Sequence, residues 1–232
     1  MIKVILWDID GTLLDFNRAE YDALKKCFQL FGMGACTDEM IARYSVINQG
    51  YWERLERGEL SKKEVLEGRF REFFEKEGLE TGQVSAFNLE YQIRLGDTVY
   101  FQDHADQLVQ ELKGQVKQYA VTNGTKTAQK RKLENSGLNE ILDGAFISDE
   151  IGAEKPDPAF FTYVWNRIGC YGTKEVLIVG DSLTSDMLGG KQAGILCCWY
   201  NPGHRIQQAE IKPDYEIDHL WQVKEILHEG AR

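Results

Sequence analysis

The chain predicts an α/β protein: a doubly wound parallel sheet, interrupted early by an inserted bundle of α-helices. Three observations carry this expectation. Residues 3–7, 116–121, 145–148, 175–179 and 195–199 read as short strands, and the first and fourth are apolar along nearly their whole length, as strands buried on both faces are. Helical patterns separate the later strands, and such alternation implies a parallel sheet covered on both sides. Between the first two strands lie about eighty residues of helical periodicity with no strand among them.

The first strand, Lys3 to Trp7, runs straight into Asp8-Ile-Asp-Gly-Thr12. Carboxylates one residue apart in an extended chain point to the same side. Like charges that close each need a cation, a proton or both. Gly11 lets the chain turn sharply, and Thr12 can hydrogen-bond within the loop. An isolated Asp-x-Asp of this kind is most simply an Asx-type turn, so its meaning depends on the rest of the chain.

The insert then reads as four amphipathic helices. Asn17 to Glu20 can cap the first, whose apolar stripe is Tyr21, Leu24, Phe28 and Phe31 and which stops at Gly32-Met-Gly34. Thr37-Asp-Glu-Met40 opens the second, and Ile41, Tyr44, Ile47, Tyr51, Trp52 and Leu55 carry its stripe to Gly58. Ser61-Lys-Lys-Glu64 is a capping box before Val65, Leu66, Phe70, Phe73 and Phe74, with Gly78 as the stop. A weaker fourth helix spans Gln83 to Leu95. The expected division is a sheet core of residues 1–15 and 97–232 and a helical cap of residues 16–96.

Beyond residue 97 the alternation resumes: a helix over 105–113, the second strand ending at Thr122-Asn-Gly124, and a helix over 125–136 stopped by Gly137. The third strand precedes a helix over 156–168, opened by Asp157 with Pro158 at its first turn. The fourth strand ends in Gly180-Asp181, and a helix over 184–193 leads to the last strand. No repeat or low-complexity segment is present.

Composition narrows the function classes. A net charge of -10 without any run of Lys or Arg argues against a duplex nucleic acid as partner, and leaves room for a small phosphorylated substrate met by a local cation. Five cysteines show neither zinc nor redox spacing, and their odd number points to free thiols in a reducing compartment. No apolar run approaches a membrane span and no signal peptide precedes the first strand, so a cytoplasmic protein without membrane contact is expected.

Each strand of the alternation ends in a group suited to phosphate or metal chemistry: Asp8 and Asp10, Thr122 with Asn123 and Gly124, and Asp181. In a doubly wound sheet these ends are neighbours. Lys155 stands before Pro156, which disfavours the α region for it. Asp186 falls in the first turn of the next helix, where a carboxylate suits the dipole. Asp8-Ile-Asp-Gly-Thr-Leu13, Thr122-Asn-Gly124, Lys155-Pro156 and Gly180-Asp-Ser-Leu-Thr-Ser-Asp186 together resemble the four motifs of the haloacid dehalogenase superfamily, in order and placement. The helical insert is similar to the cap of the subfamily that includes phosphoglycolate phosphatases and β-phosphoglucomutases. Asn48 to Trp52, Gly68 to Phe70 and Cys198 to Arg205 add a narrower similarity to house-cleaning pyrimidine 5′-nucleotidases.

The resemblance implies a Rossmann-like core and a phosphomonoesterase. It casts Asp8 as the nucleophile that forms an aspartyl-phosphate, and Asp10 as the acid and then the base. It implies Mg²⁺, with Mn²⁺ as a substitute, held by Asp8, the backbone carbonyl of Asp10, Asp181 and, through water, Asp186. Thr122, Asn123, Gly124 and Lys155 would cradle the phosphoryl oxygens. It makes Asn48, Trp52 and Arg69 candidates for contact with a nucleoside monophosphate. For these three the residues alone also allow a packing or solvated role, and Trp52 sits on an apolar stripe that favours packing. Sugar phosphates or phosphoglycolate are the alternative substrates, with a phosphosugar mutase or a catalytically silent binding protein behind them. A dehalogenase has no need of Asp10, since halide leaves without a proton.

Overall fold

Val4–Trp7 forms β1, and its complete burial follows from its place inside a six-stranded sheet. The computed structural model describes residues 1–206 and 211–229. The other strands are β2 (Lys117–Thr122), β3 (Gly144–Ile147), β4 (Val176–Gly180), β5 (Leu196–Tyr200) and β6 (Tyr215–Ile217). Their order is β3-β2-β1-β4-β5-β6, every pair parallel, with Trp7 opposite both Ala120 and Val179. The order reverses direction at β1, and a crevice opens at such a point beyond the carboxyl ends of the strands.

Side chains alternate across this sheet with period two. Ile5 and Trp7 join the cluster under α5 (Ala105–Leu112) and α11 (Val223–Glu229), while Val4 and Leu6 pack on the other side against α9 (Pro158–Ile168). The chain between β1 and α5 is helical: α1 (Phe16–Phe31), α2 (Asp38–Glu56), α3 (Lys62–Glu77) and α4 (Val84–Asp97). These helices bury a third cluster dominated by rings. Phe70 stacks on Tyr44 at 4.9 Å and meets Phe87 and Tyr91 edge-on at 5.1 and 4.9 Å. Fully buried aromatic side chains contribute several kcal/mol each, as their truncation costs of about 3–5 kcal/mol show.

The bundle rests through α4 on α6 (Lys126–Ser136), which the one-turn helices α7 (Leu138–Ile141) and α8 (Ser148–Ile151) follow in the chain. Gly96 makes that approach possible, because a Cβ there would fall 2.7 Å from Arg131 Cβ and 2.9 Å from the Ala128 carbonyl. Asp97 receives the guanidinium of Arg131, with Nε at 2.8 Å, and Ala128 belongs to the bundle's own cluster. Two side chains also bridge from the α2–α3 turn to the sheet side. Glu56 accepts from the hydroxyls of Thr184 and, at 3.4 Å, Ser182. Lys62 donates to Ser148 at 2.6 Å and pairs with Asp149 and Glu154 at 3.1 and 3.4 Å.

The caps at Thr37, Ser61 and Asp157 and the left-handed stops at Gly32, Gly78 and Gly137 form where the spacing places them. Three features differ from expectation. Asp15, not the Asn17 segment, caps α1, because its carboxylate accepts from the Arg18 amide at 3.0 Å. The helix expected over 184–193 begins instead as a wide π-turn, Leu183–Met187, before α10 (Leu188–Gln192). The Met187 amide reaches the Ser182 carbonyl at 3.1 Å, and this wider winding accompanies an Asp186 carboxylate that folds back onto the Ser182 amide at 3.3 Å. The edge strand β6 and α11 also escape periodicity, since a three-residue edge strand has too few side chains to show alternation. Among the described residues no helix is long and apolar enough to cross a membrane.

Candidate active site

The carboxyl ends of β1, β2 and β4 bring Asp8, Thr122 and Asp181 to one crevice, and the loop before α9 adds Lys155. Lys155 is the hub. Its ammonium donates to Asp8 Oδ1 at 2.8 Å, Asp186 Oδ1 at 2.6 Å and the Val121 carbonyl at 2.8 Å, which satisfies all three of its N–H groups. Asn123 fixes the backbone of that lysine from both sides, donating to the Lys155 carbonyl at 2.8 Å and accepting from its amide at 2.7 Å. Thr122 is buried, and its hydroxyl accepts from the Gly124 amide at 3.0 Å. The loop is therefore organised before any ligand arrives.

Asp8 is gripped on its other oxygen by Thr12, whose hydroxyl donates to Oδ2 at 3.0 Å. Gly11 turns the chain with φ of 87°, a left-handed value that disfavours any side chain. A Cβ there would also lie 3.0 Å from Asp181 Cγ, so the glycine lets two loops meet. Asp181 is anchored through its carbonyl, which accepts from Trp199 Nε1 at 3.0 Å and from Arg205 at 2.7 Å.

Asp8, Asp181 and Asp186 each offer an oxygen within 4.8 Å of the others. One lysine among three clustered carboxylates, two of them buried and Asp181 partly exposed, leaves negative charge uncompensated, with Arg205 only 3.8 Å from Asp181 Oδ2 at the exposed rim. Burial, set against the attraction of Lys155 and reinforced by the repulsion of Asp186, pushes Asp8 up from 3.8 to about 7. Burial and then repulsion by Asp8 and Asp186 push Asp181 well upward, and burial raises Asp186 against the pull of Lys155. Oxygen-rich and over-negative, this donor set fits a hard divalent cation.

Asp10 is bound differently. Its Oδ2 accepts from Gln129 Nε2 at 2.7 Å, and its Oδ1 pairs with the Lys132 ammonium; both partners stand on α6. The two neighbouring aspartates thus each have a cation, but not the same one. The remaining sequence candidates lie in the helical bundle. Asn48 and Arg69 are brought together, at 2.7 Å, but inside it: both are buried, Asn48 donates to Glu20 at 2.8 Å, and Arg69 reaches Asn88 at 3.3 Å. The chain of bonds continues through Gln92 to Thr125, the cap of α6, at 2.7 Å. Trp52 is half-buried, with the Arg69 guanidinium 5.9 Å from its ring.

Sequence reasoning passed over Gln129, Lys132 and Glu56. Gln129 and Lys132 fall three apart on one helix face directly after the Thr122-Asn-Gly124 loop. Glu56 falls eight residues after Asn48, on the stripe that also carries Trp52. Those spacings were the available signal.

A parallel sheet that gathers buried aspartates around one lysine at its switch point is the build of an α/β enzyme with an acidic, cation-seeking centre. The model of the haloacid dehalogenase-like hydrolases matches residues 2–194, and the chain belongs to that family of hydrolases. The HAD-hydrolase YfnB of Bacillus subtilis is 36% identical over 97% of this chain and 95% of its own. Its magnesium-bound crystal structure superposes with a TM-score of 0.92, covering 97% of this chain and 98% of that one. The pyrimidine 5′-nucleotidase PynA of Streptococcus pneumoniae is 34% identical over 93% of this chain and 90% of its own. The pyrimidine 5′-nucleotidase YjjG of Escherichia coli is 29% identical over 96% of both chains.

Proposed function

We propose that this hydrolase is a Mg²⁺-dependent phosphomonoesterase acting on nucleoside 5′-monophosphates, pyrimidines ahead of purines. The observation that carries the chemistry is Asp8, buried with one oxygen on Lys155 and the other on Thr12, beside Asp181 and Asp186. The names of PynA and YjjG support the substrate class.

Asp8 attacks phosphorus, an oxygen–phosphorus bond forms as the ester bond breaks, and Asp10 gives its proton to the departing oxygen. Water then attacks the aspartyl-phosphate while Asp10 takes back a proton, releasing phosphate and restoring both carboxyl groups. Lys155 meets the charge on the phosphoryl oxygens, with Thr122 and the amides near Asn123 and Gly124 around it. Asp8, Asp181 and the Asp10 carbonyl would hold the cation, Asp186 assisting through water; when bound it supplies Lewis-acid charge against the phosphate dianion. Mn²⁺, with the same preference for oxygen, can take its place.

Residues 16–96 work as a cap over this site, and Glu56 and Lys62 are among its contacts to the loops around it. Asn48, Trp52 and Glu56 follow one another at four-residue spacing and so share a face of α2. That stripe runs from the buried Arg69 network to the Asp181–Asp186 loop with the half-buried Trp52 between them, which supports a stacking role for its ring against a base. Asn48 and Arg69 then serve the nucleotide by fixing the helices that carry Trp52. Phosphate release with Mg²⁺ from UMP, CMP, AMP, GMP and glucose 6-phosphate tests the proposal. Pyrimidine nucleotides should be hydrolysed best; a preference for the hexose phosphate would remove the nucleotidase assignment, and release from none of them would remove the phosphatase itself.

A further inference from the structure

We propose that Lys132 and Gln129 of α6 are positioning residues for Asp10, which makes this helix part of the proton-transfer machinery. The inference rests on the proposed acid/base role of Asp10 and extends it. Lys132 and Gln129 are both 1% exposed, so each has left water for a partner inside the protein. A buried ammonium needs a negative partner, and among the described residues Asp10 is the carboxylate paired with Lys132. Gln129 takes the second oxygen at 2.7 Å, so the carboxyl is held at both ends.

The path of Gln129 is built into the loop ahead of it. A Cβ at Gly124 would come 2.7 Å from Gln129 Cδ and 2.8 Å from its Cγ, so the glycine of Thr122-Asn-Gly124 is the opening through which this side chain reaches Asp10. The loop that cradles phosphate and the clamp on the acid are thereby one construction. α6 also carries the seat of the bundle at Ala128 and Arg131, and the Lys132 ammonium lies 5.4 Å from the ring of Phe16, the first residue of α1.

The chemistry asked of the clamp is modest and balanced. When Asp10 gives its proton to the leaving oxygen it becomes a carboxylate, and the Lys132 ammonium, which keeps its own protons throughout, compensates that new charge. Gln129 holds the orientation until water returns a proton in the second half-reaction.

A leaving-group comparison under single turnover, with enzyme in excess, tests this. Release of uridine from UMP needs a proton for the alkoxide, whereas release of p-nitrophenolate from its phosphate does not. Lys132→Met should slow the first by at least about tenfold, a fraction of what general acids contribute, and barely change the second. Lys132→Arg, which keeps the charge, should recover most of the loss. Asp10→Asn serves as the reference. If it shows no leaving-group split, the acid/base assignment of Asp10 is wrong; if it does and folded Lys132→Met does not, the clamp is wrong while that assignment stands. Equal slowing of both esters by Lys132→Met would make the lysine structural and overturn the proposal. Should that variant not fold, Gln129→Leu decides on the same split.

Discussion

Asp8 shows how much a single residue's surroundings determine. Buried beside two carboxylates, its charged form is disfavoured in the metal-free protein, and its pKa rises from 3.8 to about 7. A carboxyl whose folded value lies above its unfolded one contributes stability at low pH and loses it as pH climbs through that window. The metal-free protein should therefore lose stability from this group between about pH 4 and pH 7. A cation that binds the ionised cluster competes with those protons, so the Tm gain on adding Mg²⁺ should grow from about pH 5 to pH 8. Calorimetry on chelated and Mg²⁺-loaded protein measures it, and a gain that shrinks with pH would contradict this account of the cluster. Asp8, Thr122 and Asp181 were legible because strand ends in an alternating chain must converge, and Lys155 because the following proline keeps it out of a helix. Gln129, Lys132 and Glu56 were not, because helix residues announce a face but not which loop that face will meet.

At the scale of elements, α2 and α3 are locked by a buried polar chain, and the stripe of Trp52 depends on it. Arg69→Met would remove the guanidinium that reaches Glu20 through Asn48, and leaving that buried carboxylate without a nearby cation costs about 1–3 kcal/mol or more. Denaturant unfolding should show that loss; a change near zero would mean that Glu20 is already neutral. Burial does raise the Glu20 pKa, against the pull of Ser45, Arg69 and Asn48. Trp52→Ala separates stacking from packing. A stacked ring should raise KM for nucleotides by an amount worth about 1–3 kcal/mol and leave a base-free alkyl phosphate nearly unchanged. A purely structural ring should instead lower stability by up to about 3–5 kcal/mol and affect all substrates alike. The second and third helices were legible from their caps, the first and third from glycine stops, and the fourth only from a weak apolar periodicity. The inward turn of Asn48 and Arg69 was not, since polar residues at helical spacing look solvated until a partner from another helix appears.

For the whole molecule, the strand order brings Asp8, Thr122 and Asp181 to one crevice, and in the proposed function the helical segment governs access to it. The parallel sheet could be read from short apolar strands alternating with helices, whereas the docking of α4 on α6 could not, because it turns on the missing Cβ of Gly96. Lys62 contacts three groups on the sheet side, so Lys62→Ala should loosen closure. When the binding-competent state is less populated, apparent affinity falls by the same factor for every ligand. KM should then rise equally for UMP and for a base-free ester, unlike the selective effect expected at Trp52; a rise confined to nucleotides would assign Lys62 to the base instead. The central claim is that Asp8 performs the attack on phosphorus, and turnover of UMP by purified Asp8→Asn tests it most directly. An amide cannot act as that nucleophile, and losing one of three crowded carboxylates relieves repulsion without opening a cavity. The expected result is a folded protein with turnover abolished; activity within about tenfold of the unsubstituted enzyme, far above what loss of a covalent nucleophile allows, would contradict it.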